Sequence, residues 1–177
     1  MGVIVVQSRR LRWLFAVAAF AMASAPAFGA DWRRQTITPD GFSIEFSGEV
    51  QVVPTPLKPE TQEAIVRSTI YAQSSDAYAF LVGATLIKGD FNFSAGVDGT
   101  FARYKCTQFD ADVAGTLDDG TVTRVIHSRH CADGLQIAAS FFLRGHWWYQ
   151  VLTVIGPNAD PGDAEHFLNS FRMLPNG

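Results

Sequence analysis

The sequence predicts an α+β domain: one antiparallel β-sheet of about six to seven strands, flanked by helices. Several segments alternate apolar and polar side chains, which is the pattern of half-buried strands. Short turn signals rich in Gly, Asp and Ser separate these segments, so that consecutive strands pair antiparallel. Two other segments space their apolar residues three to four apart, which indicates amphipathic helices.

The first 30 residues have the composition of a secretory signal peptide. Three arginines precede the apolar run WLFAVAAFAMA, and the small-residue tail SAPAFGA follows it. We prefer cleavage between Ala30 and Asp31, although cleavage after Ala27 also satisfies the small-residue rule. The apolar core is nearer ten residues than the roughly 20 of a spanning helix. We therefore expect a periplasmic or secreted bacterial protein with a single domain over residues 31–177 and no stable membrane insertion.

The charge of the mature chain argues against a nucleic-acid partner. The whole chain has 14 Lys and Arg against 17 Asp and Glu, and the predicted leader holds three of the basic residues and none of the acidic ones. The mature chain thus keeps 11 basic and 17 acidic residues, a net charge of −6. No basic run is longer than two residues, so no surface that neutralises phosphates is expected.

The only two cysteines, Cys106 and Cys131, are predicted to form a disulfide. An even cysteine count in an exported protein is most simply a pair, because that compartment is oxidising. Closing a loop of about 26 residues stabilises a fold by roughly 3 to 4 kcal/mol in the chain-entropy model. A structural bridge of this kind leaves no thiolate for catalysis.

The N-terminal half is predicted to form two hairpins. RRQTIT pairs with GFSIEFSG across Pro39-Asp40-Gly41; Phe42, Ile44 and Phe46 face one way, and Ser43, Glu45 and Ser47 face the other. Three prolines make Val53 to Thr61 an extended loop. EAIVRSTIYAQ and AYAFLVGATLI form the second hairpin. The latter segment is apolar on both faces, which predicts a central strand covered on both sides.

The remaining elements are a helix, a meander of strands and a final helix. The helix is predicted between Phe91 and Phe109, with an apolar stripe formed by Val97, Phe101, Tyr104 and Gln108. Turn signals at Gly115 and at Asp118-Asp119-Gly120 bracket a short strand or turn, which precedes the meander VTRVIHSRH, LQIAASFFLR and HWWYQVLTVIG. The last helix starts at Asp160-Pro161 and buries Ala164, Phe167, Leu168 and Phe171. On that helix, His166 is expected to be exposed.

The beginning and the end of the mature chain resemble the PsbP-like family. The ending GHWWYQVLTVIGPNADPGDAEHFLNSFRML has an aromatic strand before a short helix that closes on Phe167, Ser170 and Phe171. The opening GFSIEFSGEVQVVP is similar to the first hairpin of that family. The resemblance covers nearly the whole mature chain and implies an α/β/α sandwich in an accessory, binding or assembly protein. It carries over no binding residue, and the two cysteines depart from the family pattern.

The stretch HSRHC raises the question of a metal site at His127 and His130. If it continues the preceding strand, the two imidazoles point to opposite faces and cannot share one ion. Only a turn near Arg129 could gather them, and zinc would still need further ligands such as His146 or Asp133. We therefore favour two histidines beside a disulfide.

A second metal candidate is calcium at DADVAGTLDDG. Asp110, Asp112 and Asp118 fall at positions one, three and nine of a calcium-binding loop. Position five is Ala114, however, and position twelve is Thr121 instead of the bidentate glutamate. We favour an acidic solvated turn, and we expect no metal or other cofactor.

One aromatic residue is a candidate for ligand binding. In an alternating strand Trp147 and Tyr149 share one face, and Trp148 lies on the other, where core packing or a ligand could occupy it. The common sequence signatures of hydrolases, nucleotide-binding loops and zinc peptidases are absent. We therefore expect a non-enzymatic accessory or binding protein that contacts an envelope protein through a sheet edge or the proline-rich loop. The alternative is a periplasmic protein that binds a small ligand, calcium or zinc.

Overall fold

The computed structural model describes residues 31–157 and 161–175, and it has the predicted α+β class. The predicted signal peptide, including Ala30 at the cleavage site, and the helix-start residue Asp160 lie outside the described residues. None of the described helices is long and apolar enough to cross a bilayer.

The described residues form ten strands in two antiparallel sheets, with helices on both faces of the larger sheet. The strands are β1 Arg33–Ile37, β2 Phe42–Phe46, β3 Gln51–Pro54, β4 Ile65–Ser74, β5 Tyr78–Ile87, β6 Ala111–Thr116, β7 Val122–Ser128, β8 Gln136–Arg144, β9 Trp147–Ile155 and β10 Arg172–Met173. The helices are α1 Pro59–Gln62, α2 Phe93–Arg103 and α3 Pro161–Ser170. The large sheet has the order β3-β4-β5-β9-β8-β7-β6, and the small sheet has the order β1-β2-β10.

Two apolar cores lie on opposite faces of the large sheet. On one face the small sheet and α3 pack through Phe42, Ile44 and Phe167, each of which is fully buried. On the other face α2 packs through Val97 and Phe101. The large sheet is thus the middle layer, and its strands must be apolar on both sides where both layers cover them.

The predicted central strand is confirmed. β5 lies between β4 and β9, and its residues Phe80, Val82 and Ala84 point into the first core. Leu81, on the opposite face, packs against the second core. The predicted meander is also confirmed, because β7, β8 and β9 pair in sequence order.

The first hairpin forms as predicted, but it lies outside the main sheet. β1 and β2 pair antiparallel, and β2 pairs on its other side with the two-residue strand β10. The polar face of β2 is also less open than the alternation suggests, since Ser43 is only 6% exposed. Arg34 covers it by donating hydrogen bonds to the Ser43 hydroxyl (3.2 Å) and the Ser170 carbonyl (3.0 Å).

The predicted loop from Val53 to Thr61 is wrong at both ends. β3 pairs with β4 up to Pro54, and the segment Pro59–Gln62 is a short helix. Proline is compatible with an edge strand when its nitrogen points away from the neighbouring strand. Proline is likewise favourable in the first turn of a helix. The backbone N–H groups of that turn have no carbonyl acceptor within the helix, so a residue without an N–H loses no hydrogen bond there.

The predicted helix between Phe91 and Phe109 is shorter than expected. It begins after Asn92, whose side chain accepts a hydrogen bond from the Ala95 N–H (3.0 Å), and it ends at Arg103. Lys105 has a left-handed backbone (φ 52°), which stops the helical path before Gln108. Gln108 is therefore an exposed residue outside the helix and not part of its apolar stripe.

Candidate functional site

Strand β6 is the last strand of the large sheet, and it pairs only with β7. All six of its residues are exposed. The residues are Ala, Gly, Thr, Val and one Asp, so no proline and no lysine occurs within the strand. Proline, lysine and bulges are the devices that usually prevent a sheet edge from pairing with another chain.

The register shows which backbone groups of β6 point away from the sheet. The Leu117 N–H donates to the Thr121 carbonyl (2.9 Å) at the end of the β6–β7 hairpin. In an antiparallel pair, bonded and non-bonded positions alternate along the strand. Ala111, Val113 and Gly115 therefore bond to β7. The N–H and C=O groups of Asp112, Ala114 and Thr116 point outward from the edge of the sheet.

The opposite edge of the large sheet is chemically different. There the Thr55 N–H donates to the Ser68 carbonyl (2.8 Å), so that Val52 and Pro54 are the outward positions of β3. Proline has no N–H, and β3 therefore presents a single outward N–H, at Val52. β6 presents three such donors, which makes it the more open of the two edges.

Exposed large apolar side chains accompany these edges. In the described part of the chain, four of the seven exposed large hydrophobic residues lie between residues 109 and 122: Phe109, Val113, Leu117 and Val122. Val113 is the most exposed of all, at 63%. Alternation along β6 places Val113 and Leu117 on one face and Ala114 on the other. The open edge therefore combines free backbone groups with an apolar side-chain row.

Two aspartates of the candidate calcium loop are paired with arginine residues at this edge. The Arg124 guanidinium donates two hydrogen bonds to Asp112 (2.8 and 2.7 Å), which holds the pKa of that carboxyl below its usual range. Asp110 accepts from the Arg129 N–H (2.7 Å), and this hydrogen bond lowers the pKa of Asp110. Asp118 lies in the turn after β6. The segment is an extended strand followed by a tight turn, and it does not wrap into a calcium loop.

The HSRHC stretch lies where the disulfide joins two neighbouring segments. Cys106 and Cys131 are bonded (S–S 2.04 Å), which confirms the predicted pair. Beside the disulfide, the Thr107 N–H donates to the His130 carbonyl (3.0 Å). The disulfide thus fastens the chain that leaves α2 to the end of β7, immediately before β6 begins.

The two histidines of that stretch lie in different environments. The HSRHC stretch does not continue the strand over its whole length, because β7 ends at Ser128 and His130 therefore lies outside it. His127 is exposed on β7, whereas His130 Nε2 lies 3.4 Å from an oxygen of Asp110. Within residues 31–157 and 161–175, no three His, Cys, Asp or Glu side chains are grouped so that they could hold a metal ion.

Trp148 packs under a helix instead of lining an open cavity. Its ring lies 4.6 Å from that of Phe91, and the backbone of Gly96 in α2 approaches it closely. Trp147 and Tyr149 stack on the opposite face of the sheet, with ring centroids 5.7 Å apart, as the alternation predicts. Packing therefore accounts for all three rings, whereas the buried Nε1–H of Trp148 has no hydrogen-bond partner among the described residues.

A polar pocket beside α3 was not anticipated from the sequence. It has a volume of about 440 Å³ and is lined in part by Arg34, Glu45, His166 and Arg172. Glu45 accepts from Arg34 (2.8 Å) and lies 2.8 Å from His166 Nε2. His166 is exposed, as expected. The Arg34–Glu45 contact could have been found from the hairpin register, which places these residues opposite each other, but the approach of His166 depends on tertiary packing.

Comparison with known proteins does not extend this description. The chain matches no family model and no curated protein sequence. The resemblance to the PsbP-like family therefore remains a prediction from the sequence.

Proposed function

We propose that the chain is an exported, non-enzymatic binding protein of the bacterial envelope, and that it binds an extended segment of a partner protein along β6. The observation that carries this proposal is the run of three outward N–H and C=O pairs on a strand without proline or lysine. An extended peptide can add to such an edge as a further strand, because main-chain hydrogen bonds supply affinity and alternate side-chain contacts supply specificity.

The proposed location is supported by two features of the chain. The leader-like first 30 residues indicate export, and the Cys106–Cys131 disulfide is typical of an oxidising compartment. An intact-mass measurement on the protein from the exported fraction tests both. The expected mass is that of residues 31–177 less two hydrogens, and a mass that includes the leader would contradict export by cleavage.

The edge itself is tested with a proline at an outward position. Ala114→Pro removes one outward N–H and leaves the β6–β7 hydrogen bonds intact, because Ala114 does not bond to β7. Ala114→Val is the matched control, since valine keeps the N–H and favours a strand. We expect wild type and Ala114→Val to recover the same proteins from an envelope extract and Ala114→Pro to lose them. Equal recovery by all three would refute binding along β6.

The pocket beside α3 supports a second candidate function, the binding of a small polar ligand. Its guanidinium and imidazole groups are suited to a carboxylate or phosphate, although Arg34 and Glu45 already neutralise each other. A thermal-shift panel of small carboxylates, inorganic phosphate, calcium and zinc tests it. A shift that Arg172→Ala abolishes supports this candidate, and the absence of any shift contradicts it.

A further inference from the structure

We infer that the partner of β6 is a second copy of this chain, paired antiparallel about a two-fold axis at Ala114. This inference rests on the proposed function, because it names the occupant of the same edge. A two-fold axis through an antiparallel pair of identical strands places one residue opposite its own copy, and that residue can be an outward or an inward one. Ala114 is the middle one of the three outward positions, so pairing about it uses all of them. Asp112 then faces Thr116 of the second copy.

The side chains in this register are complementary in size. On the exposed apolar face, Val113 lies opposite Gly115 of the second copy, and Leu117 lies opposite Ala111 of the second copy. Each large exposed side chain thus meets a small residue, and no two large side chains compete for the same space. At the axis two alanines meet, and they leave room for the backbones to approach. A shift of the register by two residues would destroy this pairing of large with small residues.

The charges at the ends of β6 oppose this register, and one arginine offsets part of the cost. Asp110 of one copy lies opposite Asp118 of the other, and like charges that face each other across two strands are destabilising. Arg129, whose side chain is 71% exposed, lies beside Asp110 at the same end of the strand, with its Nε 3.5 Å from a carboxylate oxygen. Its guanidinium offsets part of the repulsion, and the remainder is a further reason to expect a weak dimer.

The size of the interface predicts a weak, reversible dimer. Pairing two edges of about seven residues buries an area at the low end of protein interfaces, below roughly 1,200 Å² in total. Interfaces of this size belong to transient complexes. The dimer should therefore depend on protein concentration, and it should be most easily detected when it is trapped covalently.

The decisive experiment is cross-linking through one introduced cysteine. The native cysteines are bonded to each other, so Ala114→Cys adds the only free thiol in the described chain. In the inferred register the two Cα atoms at position 114 are about 5.5 Å apart, which a disulfide can span. Ala111→Cys is the control, because its two thiols would lie roughly 20 Å apart along the paired strands. Both variants are oxidised gently and separated by non-reducing electrophoresis.

We expect the Ala114→Cys variant to form a covalent dimer at least tenfold faster than Ala111→Cys. In sedimentation, the wild-type protein should dimerise as concentration rises, and Ala114→Pro should stay monomeric. Equal cross-linking of both cysteine variants, or none, would overturn self-pairing in this register. Such a result would leave the proposed function to be judged by the capture experiment. If Ala114→Pro does not fold, the cysteine pair alone decides the inference.

Discussion

Replacing Tyr71 by Phe tests the buried polar cluster that holds the small sheet against the large one. The Tyr71 hydroxyl donates to Asp40 (2.7 Å), and the other carboxylate oxygen of Asp40 pairs with Arg67 (2.6 Å). Asp40 is only 3% exposed, and it lies in the turn between β1 and β2. The cluster thus joins the turn of the small sheet to β4 of the large sheet. Burial, followed by the contact with Asp40, raises the pKa of the Tyr71 phenol.

The expected cost of Tyr71→Phe is about 2 kcal/mol of unfolding free energy. A hydrogen bond to a charged group contributes roughly 1.5 to 3 kcal/mol, and the substitution leaves a buried carboxylate oxygen without that donor. Arg67 still neutralises Asp40, which keeps the cost below that of an uncompensated buried charge. For a domain of this size, the melting temperature should fall by about 4 to 8 °C.

Chemical denaturation of wild type and Tyr71→Phe measures this cost. Tyr78→Phe is the matched control on the neighbouring strand, because its hydroxyl makes only a 3.3 Å contact with Gln73, which also donates to Ser47. We expect the control to lose less than about 1 kcal/mol. If Tyr71→Phe is as stable as wild type within about 0.5 kcal/mol, the Tyr71–Asp40 hydrogen bond does not stabilise the contact between the two sheets.

Three further predictions concern the disulfide and two titrating groups. Replacing Cys106 and Cys131 by Ser should lower the unfolding free energy by about 3.5 kcal/mol, and reductant should have no effect on that variant. The hydrogen bond from His166 lowers the pKa of Glu45 below its ordinary 4.5, so this part of the stability is present above about pH 4.5 and is lost as the pH falls further. Glu45→Gln should flatten the acid limb of a stability profile below about pH 4.5, because the substituted side chain no longer titrates. Burial raises the pKa of the Tyr149 phenol to about 12, so stability should fall as the pH rises from 10 towards 12.

Each of these predictions has a clear contrary result. Unchanged stability of the double Cys variant would mean that the loop between the cysteines is already ordered in the unfolded chain. If the acid limb is the same in wild type and Glu45→Gln, protonation of Glu45 does not contribute to the loss of stability at low pH. Ultraviolet titration that shows the phenol of residue 149 ionising near its ordinary pKa of 10.0 would contradict its burial.

Several features could be predicted because their signals are local. Alternation gave β2, β5 and the meander of β7 to β9, since side-chain direction in a strand depends only on neighbouring residues. The disulfide followed from a count of two cysteines. The faces of Trp148 and its neighbours followed from the same alternation. The sequence predicted that the candidate binding site is an exposed sheet edge, but it did not identify which strand forms that edge.

Other features were wrong or missing because they depend on distant residues. β3 was missed because it ends in Pro54, and an edge strand tolerates proline only at a position whose backbone nitrogen faces away from the neighbouring strand. The length of α2 was overestimated, because the left-handed turn at Lys105 cannot be read from an apolar stripe. β10, with two residues, is too short to leave a pattern. The pocket beside α3 joins residues more than 100 positions apart, such as Glu45 and His166.

The sequence by itself determined the α+β class, the long alternating strands and the thiols that pair, because periodicity and cysteine count are properties of the chain alone. Only the tertiary structure decided which strands lie at the edges. An edge strand is one that lacks a neighbour on one side. Side-chain alternation and backbone conformation are the same in an edge strand and in a central strand, so only the assembled sheet distinguishes them. The functional proposals rest on that second kind of information, since the outward N–H groups of β6 are free only because no other strand of the described chain lies beside it.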